Sequence, residues 1–585
     1  MSPKISRLLY DPKSRFARIR RRCYIRAYSP LSTAPLSCPF RPSRPARPNQ
    51  QEAEMNRALS RRQFLIGTGG LAAAGLIAAC AMPAAPMEDD AAEGSGMTGE
   101  LTIDMQYVPG KVTADTPVAL HEILHIASEY EDMHPGVEVI FEEPFKATEA
   151  MTQPTYFRAG AAAGTLPDIT FTYGLTFIYD KDTIVPTTEY LNQPNQYIPA
   201  GQPGSSRWLD QWFEDVHPIV LADGNNYDIP VGWGGPGLVI AYNKEIFAEA
   251  GLSGPPEKTY YDYYQACQQI LDTGTIPVES TLLSWEWDRM VDYLVRAMGL
   301  FELIDINGDG FCDDVEQTRA AVAGIVRLDS PYWVEPTRIW KEATNYYQPG
   351  YLQMAQTTSA IGYGEVFMTG QTSMVWNANR IWPQLMELGG TDKFGVFNLP
   401  RLTNKLTPWG EEDPTWLIAR GTESKTVTKT ARERGHVDLA VDFLKFMTTP
   451  ANTARLIHER LGTNLVLPTI KGLEDLEVDD DVKGLVSDYE ADTAKPGFSS
   501  DRIGDWHFWY EWFSAIQAYF ADDMTLEEMI QIQIDVLPTF IENFLVDKEL
   551  HAEAAEWEKM QADYTPPPWG DYTVPNEPFV MPFNA

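Results

Sequence analysis

The chain has 585 residues, 44% of them hydrophobic and 22% charged, which excludes a collagen-like or wholly disordered protein and leaves length for two large lobes with insertions. Its 82 acidic against 46 basic residues give a formal net charge of -36, which argues against nucleic-acid binding, because phosphate contacts need clustered Lys and Arg. Aromatic residues reach 12%, with 16 Trp and 27 Tyr, more than a core requires, and this points to a surface that binds by stacking.

In chain order, residues 1–50 are basic and Pro-rich, with Asp11 as their one acid, and do not read as a folding unit. Met55 is the expected true start, so that residues 1–54 are an upstream extension. Residues 55–79 then read as a signal peptide: Arg61-Arg62, an apolar run from Leu65, and Ile77-Ala78-Ala79-Cys80. A basic head, an apolar segment too short for a comfortable span and small residues at the cut resemble a twin-arginine export signal joined to a lipoprotein box. Cleavage before Cys80 is expected to leave a lipid-anchored, still more acidic chain. Residues 80–99 read as a flexible tether. Of the remaining cysteines, Cys267 and Cys312 could pair or remain two thiols.

Beyond the tether, Leu101–Met105 alternates like a strand, and Leu120, Ile123, Leu124, Ala127 and Tyr130 follow helical spacing. His134-Pro135-Gly136 breaks that helix before a strand at Val137–Phe141. An Ala-rich helix ending in Gly164 precedes a strand at Ile169–Tyr173. Strand-like sequence surrounds a Gly-rich stretch within 225–243. Residues 259–300, 432–462 and 506–547 read as helical, and residues from 565 as a Pro-rich extended arm. Alternating strands and helices predict an α/β architecture.

Several ordered segments carry a resemblance. They are Ala163-Gly164-Thr165-Leu166-Pro167-Asp168, Asp228-Ile229-Pro230 leading to Tyr242-Asn243-Lys244, Phe367-Met368-Thr369-Gly370, Asn398-Leu399-Pro400, and Ala440–Phe446 leading to Leu467-Pro468-Thr469. Together they resemble the family 1 extracellular solute-binding proteins of ABC importers, in the sugar-binding branch. The resemblance implies a two-lobed periplasmic-binding-protein fold of type II, with hinge crossings near Pro230–Leu238, Thr415–Gly421 and Leu467–Gly472. It divides the chain into lobe 1 at 100–231 plus 418–466, lobe 2 at 238–414 plus 469–564, and a tail at 565–585. Gly232, Gly234, Gly235 and Gly237 would permit hinge freedom. Asp168 reads as a structural residue of the turn before its strand.

The segment Phe508-Trp509-Tyr510, with Ser514-Ala515-Ile516 and Thr525–Glu528, resembles the late aromatic helix of maltodextrin-binding proteins. That resemblance makes Trp509 a sugar-stacking residue, with Tyr510 beside it. Further candidates for ligand contact are Tyr173, Trp233, Trp287, Trp376, Arg380 and Trp382. The implied protein is an extracytoplasmic, lipid-anchored monomer that captures a carbohydrate in its cleft and passes it to a membrane permease without covalent chemistry.

Two metal motifs remain. Asp305-Ile306-Asn307-Gly308-Asp309-Gly310-Phe311-Cys312-Asp313-Asp314-Val315-Glu316 matches the EF-hand loop at its constrained positions. Asp305, Asn307, Asp309, the Phe311 carbonyl, Asp313 through water and Glu316 are the expected oxygen ligands of a structural Ca2+. His121-Glu122-Ile123-Leu124-His125 matches the zinc-peptidase pattern and supplies an alternative function, a secreted zinc metallopeptidase. The stripe of Ile123, Leu124, Ala127 and Tyr130 explains the same helix without zinc. A glycosidase is a third class, for which the sequence isolates no carboxylate pair.

Overall fold

The strand–helix alternation after residue 97 builds one parallel unit. The computed structural model describes residues 97–104, 121–142, 153–170, 183–280 with short breaks, 285–352, 364–376, 381–418, 424–460, 467–473 and 485–584 with breaks. Its first elements are β1 (Gly99–Asp104), α1 (His121–Met133), β2 (Val137–Glu142), α2 (Gln153–Ala163) and β3 (Ile169–Thr170). β1 lies parallel to β2, with Leu101 opposite Val139, and parallel to β3 through Ile103 and Ile169. The tight return from α1 to β2 uses Gly136 at φ 105, a left-handed conformation that favours glycine. Within α1, Ile123, Ile126, Ala127 and Tyr130 are buried and Leu124 only half-buried.

Two antiparallel strands, β4 (Ile229–Pro230) and β11 (Ser424–Val427), complete this sheet in the order β2-β1-β3-β11-β4. A second sheet holds β6 (Val239–Asn243), β7 (Ile276–Glu279), β8 (Thr372–Trp376) and β9 (Phe394–Asn398), ordered β7-β8-β6-β9. Short strands β5 (Trp233–Gly234), β10 (Trp416–Leu417), β12 (Leu467–Pro468) and β13 (Thr493–Ala494) lie between or beside the two. Each sheet has its own core. Around the first pack Leu101, Ile103, Ile126, Trp208, Trp212, Val427, Phe443 and Ile457. Around the second pack Trp287, Trp333, Trp340, Trp376 and Trp512 with many Tyr and Leu residues. These are the two lobes of the fold.

The helices of the second lobe include α3 (Tyr260–Asp272), α4 (Trp285–Ala297), α5 (Asp314–Val322) and α6 (Pro331–Ala343). The stretch 259–300, expected as mostly helical, therefore contains strand β7. Gly274, at φ 88, ends α3, and Pro277 is tolerated because β7 is an edge strand. The 432–462 stretch is likewise three helices, α7 (Lys429–Arg434), α8 (Val437–Met447) and α9 (Pro450–Arg460), cut at Gly435 and Pro450. Residues 506–547 split into α10 (His507–Phe520) and α11 (Leu526–Asp547), and α12 (His551–Met560) follows. Thr525 and Glu528 start α11 with a reciprocal capping box. By length and composition α11 could cross a membrane, but here it lies along α10.

The C-terminal arm is a strap. Trp569 and Met581 are buried in the second core. The Tyr572 hydroxyl donates to Glu335 at 2.8 Å, and Arg338 donates to the Glu577 carbonyl at 2.9 Å. An arm without a helical or strand period still buries apolar side chains because it is aromatic.

Candidate functional site

Parallel strands aim their carboxyl ends at one edge of a sheet, and ligands of open α/β sheets collect outside that edge. In the first lobe β1, β2 and β3 end at Asp104, Glu142 and Thr170, and the chain leaves there into 105–120, 143–152 and 171–182. In the second lobe β7 and β8 run parallel and end at Glu279 and Trp376. Tyr173 and Arg380 lie just past β3 and β8 and fall outside the described residues.

The start of the segment after β7 is held tightly. Gln348 accepts from the Ser280 N–H at 2.8 Å and donates to its carbonyl at 2.7 Å. Glu279, fully buried, accepts from the N–H groups of Gly364 at 2.9 Å and Phe367 at 2.7 Å. Burial pushes its carboxyl up, against the pull of those two bonds. Sequence reasoning missed both residues, because a Glu ending a strand and a distant Gln carry no signal before the chain folds.

Between the lobes the chain passes from β4 through β5 to β6. β5 pairs antiparallel with β12, placing Trp233 opposite Pro468. The Thr469 N–H adds a bond to the Gly232 carbonyl at 3.1 Å. Gly232 has φ 87, and a Cβ there would meet Thr453 Oγ1 at 2.6 Å, so this crossing position requires glycine. The side chain of Trp233 lies outside the described residues.

The aromatic helix α10 is placed by carboxylates of α4. Buried Asp292 accepts from the N–H groups of Gly497 at 2.7 Å and Phe498 at 3.3 Å, and pairs with Arg296 at 2.9 Å. Buried Asp288 accepts from the N–H of Ser500 at 3.0 Å and from its hydroxyl at 2.8 Å. The Gly504 N–H donates to Thr318 at 2.9 Å and the Asp505 N–H to the Phe540 carbonyl at 2.9 Å. On the helix, Phe508 and Trp512 are buried while Trp509 and Tyr510 are half-buried. Trp509 lies parallel to Phe513, with centroids 5.1 Å apart and planes 7° apart, and meets Tyr510 edge-on at 5.0 Å. Phe513 stands out in the sequence only as one more aromatic residue of this helix and not as a contact candidate, although its four-residue spacing from Trp509 is the signal for a neighbour on one helix face.

Three other candidates prove to be packing residues, which corrects the expectation that they present a face to ligand. Trp287 is fully buried, edge-on to Trp333 at 4.7 Å, and donates to Thr337 at 2.8 Å. Trp376 is buried and donates to the Tyr263 hydroxyl at 3.0 Å. Trp382 is buried beside Val239, Phe367 and Leu385. Asp168, also buried, accepts from the N–H and hydroxyl of Thr102, each at 2.9 Å, and so ties β1 to the turn before β3.

The 305–316 loop turns through Gly308 at φ 72 and Gly310 at φ 80. Asp305 accepts from the Gly308 and Gly310 N–H groups at 2.8 and 2.9 Å, Asn307 from Asp309 at 2.9 Å, and Asp309 from Phe311 at 2.9 Å. Asp313 and Glu316 form the capping box of α5, and Glu316 also accepts from Ile306 at 2.8 Å. Among the described residues no group of three or more His, Cys, Asp or Glu side chains is gathered to hold a metal. In α1, Glu122 receives Arg455 at 2.8 Å and His125 at 3.2 Å. Burial works against its charge, but these bonds hold its carboxyl below the usual range. The side chain of His121 lies outside the described residues. Cys267 and Cys312 are free, and burial pushes both thiols up.

This architecture has relatives. Residues 125–494 match the bacterial extracellular solute-binding protein family, and the chain belongs to that family. An arabinooligosaccharide-binding protein of Halalkalibacterium halodurans is 24% identical over 266 residues, covering 44% of this chain and half the length of that relative. Among solved structures, a chitin oligosaccharide binding protein superposes with TM-score 0.53 at 17% identity, covering 76% of this chain and 99% of its own. An ABC substrate-binding protein from Listeria monocytogenes in complex with cycloalternan gives TM-score 0.51 at 15% identity, covering 76% and 98%. The fold is therefore the two-lobed one of periplasmic solute-binding proteins, and a location outside the cytoplasm goes with the family.

Proposed function

We propose that this protein captures a carbohydrate, an oligosaccharide in the first instance, between its lobes and delivers it unchanged to an ABC permease. The observation that carries the reading is the stacked pair of Trp509 and Phe513 on α10. A pyranose offers an apolar C–H face, and a flat indole covers it at low entropic cost. Phe513 backs one face of the indole and fixes its plane, so that little ordering remains to be done on binding. The names of the relatives point the same way: one binds arabinooligosaccharide, one chitin oligosaccharide, and one holds cycloalternan. A ligand touching both lobes binds the closed arrangement more tightly and shifts the population towards it.

The reading continues to the membrane. Arg61-Arg62 directs export, Cys80 carries the lipid, and residues 81–99 tether a monomer beside its permease. A structural Ca2+ in the 305–316 loop belongs to the same proposal. The support is the EF-hand ligand order and the inward turn of Asp305. Asp305 and Asp309 accept from the loop's own N–H groups, and each carboxylate keeps lone pairs beyond those bonds for an ion.

The test is tryptophan fluorescence of the purified protein titrated with arabinooligosaccharides, chitin oligosaccharides, cycloalternan and maltodextrins. A saturable change, with the sugar recovered intact, is the expected result. Trp509→Ala should then weaken binding by roughly 1–3 kcal/mol, the range for loss of a buried aromatic contact. Silence across the panel overturns the carbohydrate reading, and undiminished affinity in the variant would remove Trp509 from the sugar contact.

A further inference from the structure

Two side chains of the 305–316 loop reach out of their own lobe. Asn307 Nδ2 donates to the Val220 carbonyl at 2.9 Å, and Asp309 Oδ2 accepts from the Val220 N–H at 3.1 Å. One residue of lobe 1 thus has both backbone polar groups held by lobe 2. Val220 is firmly part of lobe 1. Its neighbour Leu221 is buried with Phe157, Leu166, Ile184 and Tyr227, and the Asn226 side chain donates to the Pro218 carbonyl at 3.1 Å. The loop is as firmly part of lobe 2. Cys312 is fully buried, and its N–H donates to the Gly497 carbonyl at 3.0 Å. A Cβ on Gly497 would lie 2.7 Å from the Gly310 carbonyl oxygen, so the two backbones touch.

A second contact joins the same two surfaces. Arg158, one residue past the buried Phe157 on α2, pairs at 2.6 Å with Asp547 at the end of α11. Lys548, the next residue, lies 3.9 Å from Asp314 at the start of α5. Phe157 and Leu221, the chain neighbours of Arg158 and Val220, therefore share one small core, and Asp547 shares its neighbourhood with the loop. The exposed ion pair adds little by itself. The two-point clasp on Val220 is directional and fixes a distance.

We infer that the 305–316 loop is an interlobe latch, with Asn307 and Asp309 as positioning residues that set the opening equilibrium of the lobes without touching solute. The inference rests on the reading that solute binds between the lobes. It does not rest on calcium. The loop holds Gly497 through Cys312 and lies under Arg502 through Phe311, and that segment leads on to α10, so the latch also ties lobe 1 to the helix that carries Trp509.

Asn307→Asp isolates the latch. It keeps the side-chain oxygen that accepts from Asp309 and keeps an oxygen for calcium, but it sets an acceptor against the Val220 carbonyl. Replacing one hydrogen bond by a repulsion should move the opening equilibrium about tenfold. The readouts are amide hydrogen exchange of the peptide containing Val220, small-angle X-ray scattering of the purified full chain, and calorimetric titration with CaCl2. Faster exchange at Val220, by about tenfold, together with a changed interlobe distance distribution at an unchanged melting temperature, is the expected result. Unchanged exchange overturns the latch. So does faster exchange without a change in scattering, which would make the clasp a local docking contact. Calcium heat absent from the parent protein would end the calcium proposal and leave the latch standing.

Discussion

Glu286 is a carboxyl inside an aromatic core. It is 3% exposed, and the hydroxyls of Tyr264 and Tyr347 each donate to it at 2.7 Å. Tyr347 in turn accepts from Trp340 at 3.1 Å. Burial raises the Glu286 pKa from 4.5 to about 7, because two tyrosine bonds do not replace the lost hydration. The folded protein therefore holds this proton more tightly than the unfolded chain does. The contribution of Glu286 to stability is whole below pH 4.5 and is lost as pH rises through about 7. Glu286→Gln keeps the shape and has no charge to bury. Its gain over the parent should be near zero at pH 4.5 and roughly 3 kcal/mol at pH 8, by the linkage between pKa and stability. Urea unfolding of both proteins at the two pH values measures this, and an equal difference at both would show that Glu286 ionises in the folded protein as it does in the unfolded chain.

At the scale of elements, the C-terminal strap and α10 show what a sequence discloses and what it withholds. Periodicity disclosed α1, α3 and α10, because each has an apolar stripe at helical spacing. The same signal ran straight through β7 and through the breaks at Gly435 and Asp522, where single turn residues decide the outcome and window averages conceal them. In α10 the order of Phe508, Trp509 and Tyr510 was legible, while the carboxylates that place the helix, Asp288 and Asp292, were not. Their partners lie more than two hundred residues away in sequence. The strap was legible only as a Pro-rich arm, since no local pattern announces that Met581 ends in the core of another segment. Its contribution can be measured. Met581→Ala removes a fully buried side chain and should cost about 2–4 kcal/mol, as for other large-to-small core changes. An unchanged melting temperature would mean that the strap is not docked in solution.

For the whole molecule, the alternation of strands and helices conveyed an α/β fold, and the resemblance carried by its ordered segments conveyed two lobes. The sequence could not convey which tryptophans face a cleft, since burial in a two-lobed protein depends on packing within each lobe. Trp287, Trp376 and Trp382 look like Trp509 in sequence and are buried in the structure. The crossing at Gly232 unites the two scales. Gly232 sits between β4 of one sheet and β5, its carbonyl accepts from Thr469 on another crossing, and Thr453 fills the space where a Cβ would stand. Gly232→Ala combines two costs: a left-handed φ worth about 1–2 kcal/mol for a residue with a side chain, and an overlap with Thr453 worth about 1–3 kcal/mol. Thr453→Ala removes Oγ1 and Cγ2 and thus the closest part of the overlap, but not the backbone strain. The double variant should therefore be less destabilised than the sum of the single variants, with a coupling of about 1 kcal/mol between touching residues. Thermal unfolding of the four proteins gives that coupling, and sugar titration of the same four reports whether strain at the crossing reaches the cleft. Strict additivity in stability would mean that Thr453 does not press on position 232, and the requirement for glycine there would rest on φ alone.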